Sequence, residues 1–194
     1  MQNNTHNFTD DWFSPGLVNF EFIKDCYDKF HKIIEIGSYE GRSTCWMLEN
    51  LLADNGTIHC LDTFTGGEEH NKNQIIGMFD RFNSNIALSK KPNQTVNVIV
   101  GNSYTSIDRS FGDVDFVYID GSHQSPDVLM DTCAVFPQLK SGGVILFDDY
   151  AFNPDGQKEL RHPNVSINAF TYIFAERIEI IKIPNQYQFA IRKL

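Results

Sequence analysis

Residues 32–44 read KIIEIGSYEGRST, and this segment decides the fold of the chain. The run Lys32–Ile36 is largely apolar with one acid, which predicts a buried strand. Gly37 then allows a sharp turn, Gly41 leaves room for a ligand at a helix N-terminus, and residues 42–53 have the apolar spacing of a helix. A strand, a glycine turn and a helix in this order suit a nucleotide-binding loop, and they also suit an ordinary βα turn.

The loop departs from the GxGxxG pattern of dinucleotide-binding proteins because its central residue is Tyr39. The pyrophosphate of a dinucleotide needs bare backbone at that position. The sequence therefore favours a nucleoside-type ligand without a pyrophosphate, and it disfavours the alternative of a nicotinamide-dependent oxidoreductase.

Strand and helix patterns alternate along the rest of the chain. Strands that are apolar throughout and alternate with helices are typical of a parallel sheet buried between two layers of helices. A hairpin signal follows near the C-terminal end. The predicted strands are 57–61, 96–100, 114–119 and 144–147, the predicted helices are 74–88, 103–110, 126–139 and 165–175, and the hairpin strands are 177–183 and 186–192.

Composition and charge narrow the functional classes. The chain has 194 residues, the size of one domain, and its 16 Lys and Arg against 25 Asp and Glu give a net charge of −9, which argues against binding to duplex nucleic acid. The N-terminal residues lack the basic and apolar regions of a signal peptide, and the apolar runs are too short to cross a membrane. Cys26, Cys45, Cys60 and Cys133 are spaced unlike a zinc site or a disulfide framework. We therefore expect a cytoplasmic protein with reduced, buried thiols.

Acidic residues stand at or beside the carboxyl ends of most predicted parallel strands, where such sheets bind their ligands. Asp62 ends the second strand, 25 residues after Gly37, close to the spacing of an acid that binds ribose hydroxyls. Asn102 and Ser103 follow the third strand, where an amide and a hydroxyl would read an adenine edge. A helix cap is the structural alternative for each of these residues.

A second group of acids follows the fourth and fifth strands. Asp120, Asp148 and Asp149 would converge there, and oxygen ligands select Mg²⁺, Ca²⁺ or Mn²⁺. Adjacent residues of a regular strand face opposite ways, so Asp148 and Asp149 can share an ion only if the chain leaves the strand there. His123 lies three residues past Asp120 and can take a proton at neutral pH, although a lone His is more often a surface or capping residue.

Five segments together resemble the class I S-adenosylmethionine-dependent methyltransferases. They are EIGSYEGRST (35–44), LDTF (61–64), GNS (101–103), VYIDGSHQSPDVLMD (117–131) and LKSGGVILFDDY (139–150). The sequence most resembles the small-molecule O-methyltransferases that include the macrocin-type sugar enzymes and, more distantly, the catechol type. The resemblance implies an α/β fold of three layers, Rossmann-like, with a seven-stranded, mostly parallel sheet in the order 3-2-1-4-5-7-6 and an antiparallel last strand.

The resemblance also implies site residues for S-adenosylmethionine, for a metal such as Mg²⁺ and for catalysis. The implied cofactor residues are Glu35, Gly37, Ser38, Tyr39 and Ser43 near the methionine part, Asp62 at the ribose, Thr63 and Phe64 beside the nucleoside, Asn102 and Ser103 at the adenine, and also Gly41 and Asp120. The implied metal ligands are Asp120, Asp148 and Asp149, and the implied catalytic residues are Asp120 and the general base His123. The chain departs from the catechol type, which has Lys at the base and Asn as the last acid, and from sugar enzymes that have Glu in place of Asp148.

These implications define the expected activity. We expect methyl transfer from S-adenosylmethionine to a hydroxyl of a small sugar or polyol-like molecule, with residues 31–194 as the catalytic domain and residues 1–30 as a helical or lid segment. We expect no nucleic-acid or membrane partner, and the N-terminal segment offers a contact for a homodimer. The alternatives are a metal-independent methyltransferase acting on another small molecule and a non-catalytic protein that binds the nucleoside cofactor.

Overall fold

The computed structural model describes residues 5–67, 70–107, 109–153 and 158–194, in which seven strands form one sheet. The strands are β1 (Phe30–Ile36), β2 (Leu52–Asp62), β3 (Thr95–Val100), β4 (Val114–Ile119), β5 (Leu139–Phe147), β6 (Ile178–Ile181) and β7 (Phe189–Lys193). Their order is β3-β2-β1-β4-β5-β7-β6, which confirms the predicted order. Strands β1 to β5 run parallel, and β7 pairs antiparallel with both β5 and β6.

Helices cover both faces of the sheet because successive strand residues point to opposite sides. They are α1 (Leu17–Cys26), α2 (Arg42–Asn50), α3 (Lys72–Ile75), α4 (Met78–Ser89), α5 (Ser103–Ser106), α6 (Ser125–Val135) and α7 (Pro163–Ile173). Ile33 of β1 packs in one buried cluster with Phe20 of α1 and Phe82 of α4. The next residue, Ile34, packs in a second cluster with Phe170 of α7. The three layers expected from the sequence are therefore present.

Two strands begin earlier than the sequence predicts. In β2, Leu52 pairs with Phe30 and Thr57 pairs with Lys32, so five residues of β2 correspond to two of β1. Asn55-Gly56, a pair typical of turns, lies in this irregular part, and the strand continues on both sides of it. The same mismatch occurs where Val114 and Phe116 of β4 pair with Leu139 and Val144 of β5. Each of these strands begins inside a stretch that was predicted as helix, so the preceding helices α2 and α6 end earlier than predicted.

The predicted helix 74–88 is two helices. Gly77, at φ +73°, separates α3 from α4, because this left-handed backbone cannot continue a right-handed helix. The predicted helix 103–110 is reduced to α5 and a 3₁₀ turn at Arg109–Phe111, and its residue 108 lies outside the described residues. Residues 1–4, which belong to the predicted helical or lid segment, also lie outside them, as do residues 68–69 and 154–157.

The N-terminal segment is helical and packs into the main core. Phe20 and Ile23 of α1 are fully buried against the sheet. All four cysteines are free; Cys45 and Cys60 are buried, whereas Cys26 and Cys133 are exposed, so the expectation of buried thiols is wrong for two of them. Within the described part of the chain, the helices are too short or too polar to cross a membrane.

Candidate functional site

Glu35, the penultimate residue of β1, holds the following loop together from beneath. Its carboxylate is 0% exposed and accepts hydrogen bonds from the hydroxyls of Ser38 (2.7 Å), Ser43 (2.6 Å) and Thr44. Burial raises the pKa of Glu35, and the three hydroxyl donors act against that rise. Glu35, Ser38 and Ser43 are therefore buried under the loop and shape the backbone on which a ligand would lie.

Two glycines give this loop its path. Gly37 has φ +83°, and a Cβ on it would overlap the backbone carbonyl oxygen of Asp120. Gly41 has φ +81° and immediately precedes α2. The loop after β1 consequently packs directly against the chain that leaves β4, which brings two predicted site segments together.

Non-glycine residues with a left-handed backbone occur at three places among the described residues. They are Tyr39 (φ +49°) in the loop after β1, Phe64 (φ +51°) after β2 and Asp149 (φ +55°) after β5. Such backbone strain is concentrated at functional sites in proteins. All three residues lie at the carboxyl edge of the sheet, where the sequence predicts the ligand.

Asp62 ties the end of β2 to the loop after β1. Its Oδ2 accepts hydrogen bonds from the backbone amides of Ser38 and Tyr39, both at 2.8 Å, and its Oδ1 accepts one from the amide of Phe64 at 2.6 Å. A carboxylate has about four acceptor positions. About one position thus remains to accept a hydrogen bond from a ribose hydroxyl.

The two residues after Asp62 differ in their surroundings. The ring of Phe64 packs against Phe79 and Phe82, with centroids 4.7 Å and 5.2 Å away. The hydroxyl of Thr63 accepts a hydrogen bond from the hydroxyl of Thr65 at 2.9 Å. Phe64 therefore belongs to an aromatic group that joins the loop to α4, and Thr63 belongs to the turn itself.

Ser103 leads to an acid that the sequence analysis missed. Its hydroxyl donates a hydrogen bond to Oδ1 of Asp131, which lies on α6 and is 2% exposed. Burial raises the pKa of Asp131 to about 6, although the bond from Ser103 lowers it. The signal in the sequence was an acid following the apolar residues 128–130. This contact fixes the turn after β3, and it leaves the neighbouring Asn102 exposed.

Asp120, Asp148 and Asp149, here called the acid cluster, converge at the ends of β4 and β5. One ligand oxygen from each lies within 4.8 Å of the others, and all three residues are partly buried. Strand β5 ends at Phe147 and Asp149 is left-handed, so the chain leaves the strand where shared coordination requires it. Burial raises the pKa of Asp120 and of Asp148, and the neighbouring carboxylates raise both further.

Three side chains that the sequence analysis missed hold the acid cluster. Tyr118 OH lies 3.0 Å from Oδ2 of Asp120 and 3.1 Å from Oδ2 of Asp148, Gln188 Nε2 donates to Oδ1 of Asp148 at 2.8 Å, and Tyr187 OH donates to Oδ1 of Asp149 at 2.9 Å. Tyr118 has the sequence pattern of an ordinary core residue of β4. Tyr187 and Gln188 reach the cluster only because of the register of β7 on β5, which the sequence does not reveal.

His123 lies beside the acid cluster. Its Nδ1 is 2.7 Å from Oδ2 of Asp149, and its ring packs against Phe152 at 4.6 Å between centroids. The structure therefore brings the predicted base together with the predicted metal ligands, and it adds an aromatic neighbour.

The N-terminal segment ahead of α1 crosses the loop after β1. The amide and hydroxyl of Thr9 donate to the two oxygens of Glu40 at 2.6 Å and 2.9 Å, and the same hydroxyl is 2.8 Å from Tyr39 OH. Trp12 stacks on Tyr39 with centroids 5.3 Å apart and an interplanar angle of 15°. Phe13, in contrast, packs into the core. Trp12 covers the loop, whereas Phe13 anchors the segment.

A family profile and a curated relative match this chain in sequence. The profile of the family described as "Methyltransferase domain" matches residues 34–150, more than half of the chain. Uncharacterized protein R132 of Acanthamoeba polyphaga mimivirus is 26% identical over 137 residues, which cover 69% of this chain and 59% of the viral protein. The chain thus spans less than two thirds of that relative.

Solved structures share the fold at low sequence identity. An O-methyltransferase from Bacillus cereus, in complex with SAH, has a TM-score of 0.65 at 18% identity, over 97% of this chain and 84% of that chain. A Clostridium thermocellum protein proposed to be an rRNA methylase has a TM-score of 0.68 at 14% identity, over 93% of this chain and 96% of that chain. MycE methyltransferase from the mycinamycin pathway, in complex with Mg, SAH and mycinamycin VI, has a TM-score of 0.57 at 17% identity, over 96% of this chain and 50% of that chain.

Proposed function

The chain belongs to the family of methyltransferase domains, and from this premise we propose that it transfers a methyl group from S-adenosylmethionine to a hydroxyl of a small molecule. The observation that carries the proposal is the convergence of two groups at one edge of the sheet. The loop that would bear the methyl donor packs, through Gly37, on the backbone of Asp120, which belongs to the acid cluster. A donor and an acceptor oxygen would therefore meet in one site.

The residues present fit S-adenosylmethionine, which would supply a methyl group already activated on a sulfonium. Asp62 would accept a ribose hydroxyl at its remaining acceptor position. The exposed amide of Asn102, in a turn fixed by Ser103 and Asp131, would read the adenine edge. The loop between Gly37 and Gly41 would bear the methionine part, and Glu35 would keep that loop in shape.

The acid cluster fits a hard divalent cation such as Mg²⁺. It offers three carboxylates, and their mutual repulsion, which contributes to the raised pKa of Asp120 and Asp148, is what a cation would relieve. When bound, the cation would fix an acceptor oxygen and lower the pKa of its hydroxyl.

His123 would remove the acceptor proton. A carboxylate beside Nδ1 favours the tautomer that carries its proton there, and Oδ2 of Asp149 lies 2.7 Å from that atom. Nε2 would then be the basic nitrogen. Asp149 would thus both orient His123 and contribute to the cation site, through different acceptor positions of its two oxygens.

We further propose a sugar or polyol-like acceptor, on the strength of the resemblance to the macrocin-type enzymes. The net charge of −9 supports a small molecule rather than RNA, because phosphate binding needs clustered basic residues.

A metal-independent reaction is the second candidate, and one observation favours it. Each carboxylate of the acid cluster already has a polar protein neighbour without a cation, supplied by Tyr118, Gln188, Tyr187 and His123. In that case the pair of His123 and Asp149 would act as the base without a cation.

The experiment is an assay of SAH release with S-adenosylmethionine and a panel of acceptors: sugars with neighbouring hydroxyls, catechols, and structured RNA. Each acceptor is assayed with Mg²⁺ and with EDTA. We expect turnover on a hydroxylated small molecule that EDTA abolishes and Mg²⁺ restores. Turnover that EDTA leaves unchanged would favour the second candidate, and turnover on RNA alone would refute the proposed acceptor class. Binding of SAH without turnover on any acceptor would support a non-catalytic protein.

A further inference from the structure

We propose that Gln188 and Asn19 are positioning residues for the acid cluster, and that they set the orientation of the Asp148 carboxylate. The inference rests on the proposed cation site. It adds two amide side chains, one from the N-terminal helix and one from the turn before β7, to the construction of that site.

Gln188 is the direct link. Its side chain is buried, with 2% of the residue exposed, and its Nε2 donates to Oδ1 of Asp148 at 2.8 Å. At the other end of the same amide, Oε1 accepts a hydrogen bond from Nδ2 of Asn19 at 2.8 Å. Both polar atoms of the Gln188 amide are therefore engaged, one of them on a proposed cation ligand.

Asn19 determines which way the Gln188 amide points. Asn19 is 0% exposed, its Oδ1 accepts from the backbone amide of Asn185 at 2.8 Å, and its Nδ2 donates to the carbonyl of Asn185 at 2.8 Å. A backbone amide only donates and a backbone carbonyl only accepts, so the two ends of the Asn19 side chain cannot exchange. Asn19 consequently presents a donor to Gln188, and the donor end of Gln188 is left for Asp148.

Gly16 makes room for this arrangement. A Cβ at position 16 would overlap the terminal amide of Gln188. The backbone of Gly16, at φ −89° and ψ −10°, is one that any residue adopts, so the position requires a small residue for space and not for conformation. An added methyl group would push the Gln188 amide away from its two partners without straining the backbone.

The consequence concerns the cation. With Oδ1 of Asp148 bound to Gln188, Oδ2 is the oxygen that faces Tyr118, which is also bound to Asp120. The carboxylate is thus held in one orientation before a cation arrives. Hydrogen-bond partners of metal ligands typically contribute about 10- to 100-fold to metal affinity.

The experiment measures Mn²⁺ binding to the full chain by electron paramagnetic resonance, with SAH affinity measured in parallel by calorimetry. Gln188→Met keeps the length of the side chain and removes the donor, so we expect Mn²⁺ to bind about 10-fold or more weakly. SAH affinity should stay within about 2-fold, a factor that corresponds to less than about 0.5 kcal/mol. Gln186→Met is the matched control, because Gln186 is an exposed residue nearby whose amide donates to the carbonyl of Ile183.

Gly16→Ala tests the inference without altering any of the hydrogen-bonding groups. If Gln188→Met does not fold, Gly16→Ala alone tests whether Gln188 positions Asp148. We expect the same loss of Mn²⁺ affinity with SAH binding retained. Mn²⁺ binding that is unchanged in a folded Gln188→Met or Gly16→Ala variant would overturn the inference and leave the proposed function standing. Failure of the wild-type chain to bind Mn²⁺ would overturn the cation site and the inference together.

Discussion

Asp131 makes the free energy of unfolding depend on pH, and both the sign and the magnitude of that dependence follow from the structure. Its folded-state pKa is raised by burial from the ordinary 3.8 to about 6. Between these values the unfolded chain has lost the proton that the folded chain keeps, so the free energy of unfolding falls as pH rises through this window and is level above it. The shift of about 2 units corresponds to about 3 kcal/mol lost from low pH to neutral pH.

Asp131→Asn removes this titration while keeping an oxygen that accepts the hydroxyl of Ser103. Relative to the wild type, the variant should therefore gain stability as pH rises, by about 2 kcal/mol between about pH 4.5 and about pH 7.5. Urea denaturation followed by circular dichroism at a series of pH values measures the difference. Asp25→Asn is the control for the loss of one carboxylate, because Asp25 is exposed on α1. A difference between Asp131→Asn and the wild type that stays constant with pH would refute the reasoning that burial controls this carboxylate.

Four further substitutions test the site. Asp62→Ala should weaken SAH binding several-fold or more, whereas His123→Ala should abolish turnover and leave SAH affinity nearly intact. Calorimetry measures the SAH affinity and the assay of SAH release measures turnover. Similar behaviour of both variants would show that the two roles are misassigned. Gly37→Ala should lower the free energy of unfolding by about 3 kcal/mol or more, since the new methyl group would overlap the backbone at a left-handed φ. A urea unfolding midpoint equal to that of the wild type would contradict this close approach. Trp12→Ala removes the ring stacked on Tyr39, so the amide hydrogens of the loop after β1 should exchange faster with solvent. The free energy of global unfolding should change by only about 1 kcal/mol. Unchanged hydrogen exchange would show that the stacking does not restrain the loop.

The strands and the position of the site were predictable because both depend on local patterns, whereas the order of the strands in the sheet followed from the resemblance to the methyltransferase family. Each apolar run forms a strand, and the residues at its carboxyl end are adjacent in sequence to the pattern that identifies it. Asp62, Asp120 and Asp148 could therefore be placed before the structure was known. The convergence of Asp149 depended on a stereochemical condition, since two adjacent acids can share one ligand only where the strand has ended, and the structure meets that condition.

What could not be predicted depends on contacts between distant parts of the chain. The Asn55-Gly56 pair has the composition of a turn, and only the pairing of Leu52 with Phe30 shows that the strand begins before it. Asp131 follows the apolar residues 128–130, but this local pattern alone does not separate a buried acid from an exposed one on a helix. The sequence around Gln188 does not distinguish its amide from others, and only the antiparallel register of β7 on β5 places it beside Asp148.

The hydrogen bond between Asn19 and Gln188 joins residues that are 169 positions apart. Closing so long a stretch of chain is entropically costly, so we expect this contact to form after the local βα units and the parallel pairings that they permit. During synthesis, α1 leaves the ribosome long before its partner is made. Affinity for a cation would then arise as one of the last properties of the maturing molecule, and Mn²⁺ uptake could be followed as a kinetic signal that both ends of the polypeptide have docked.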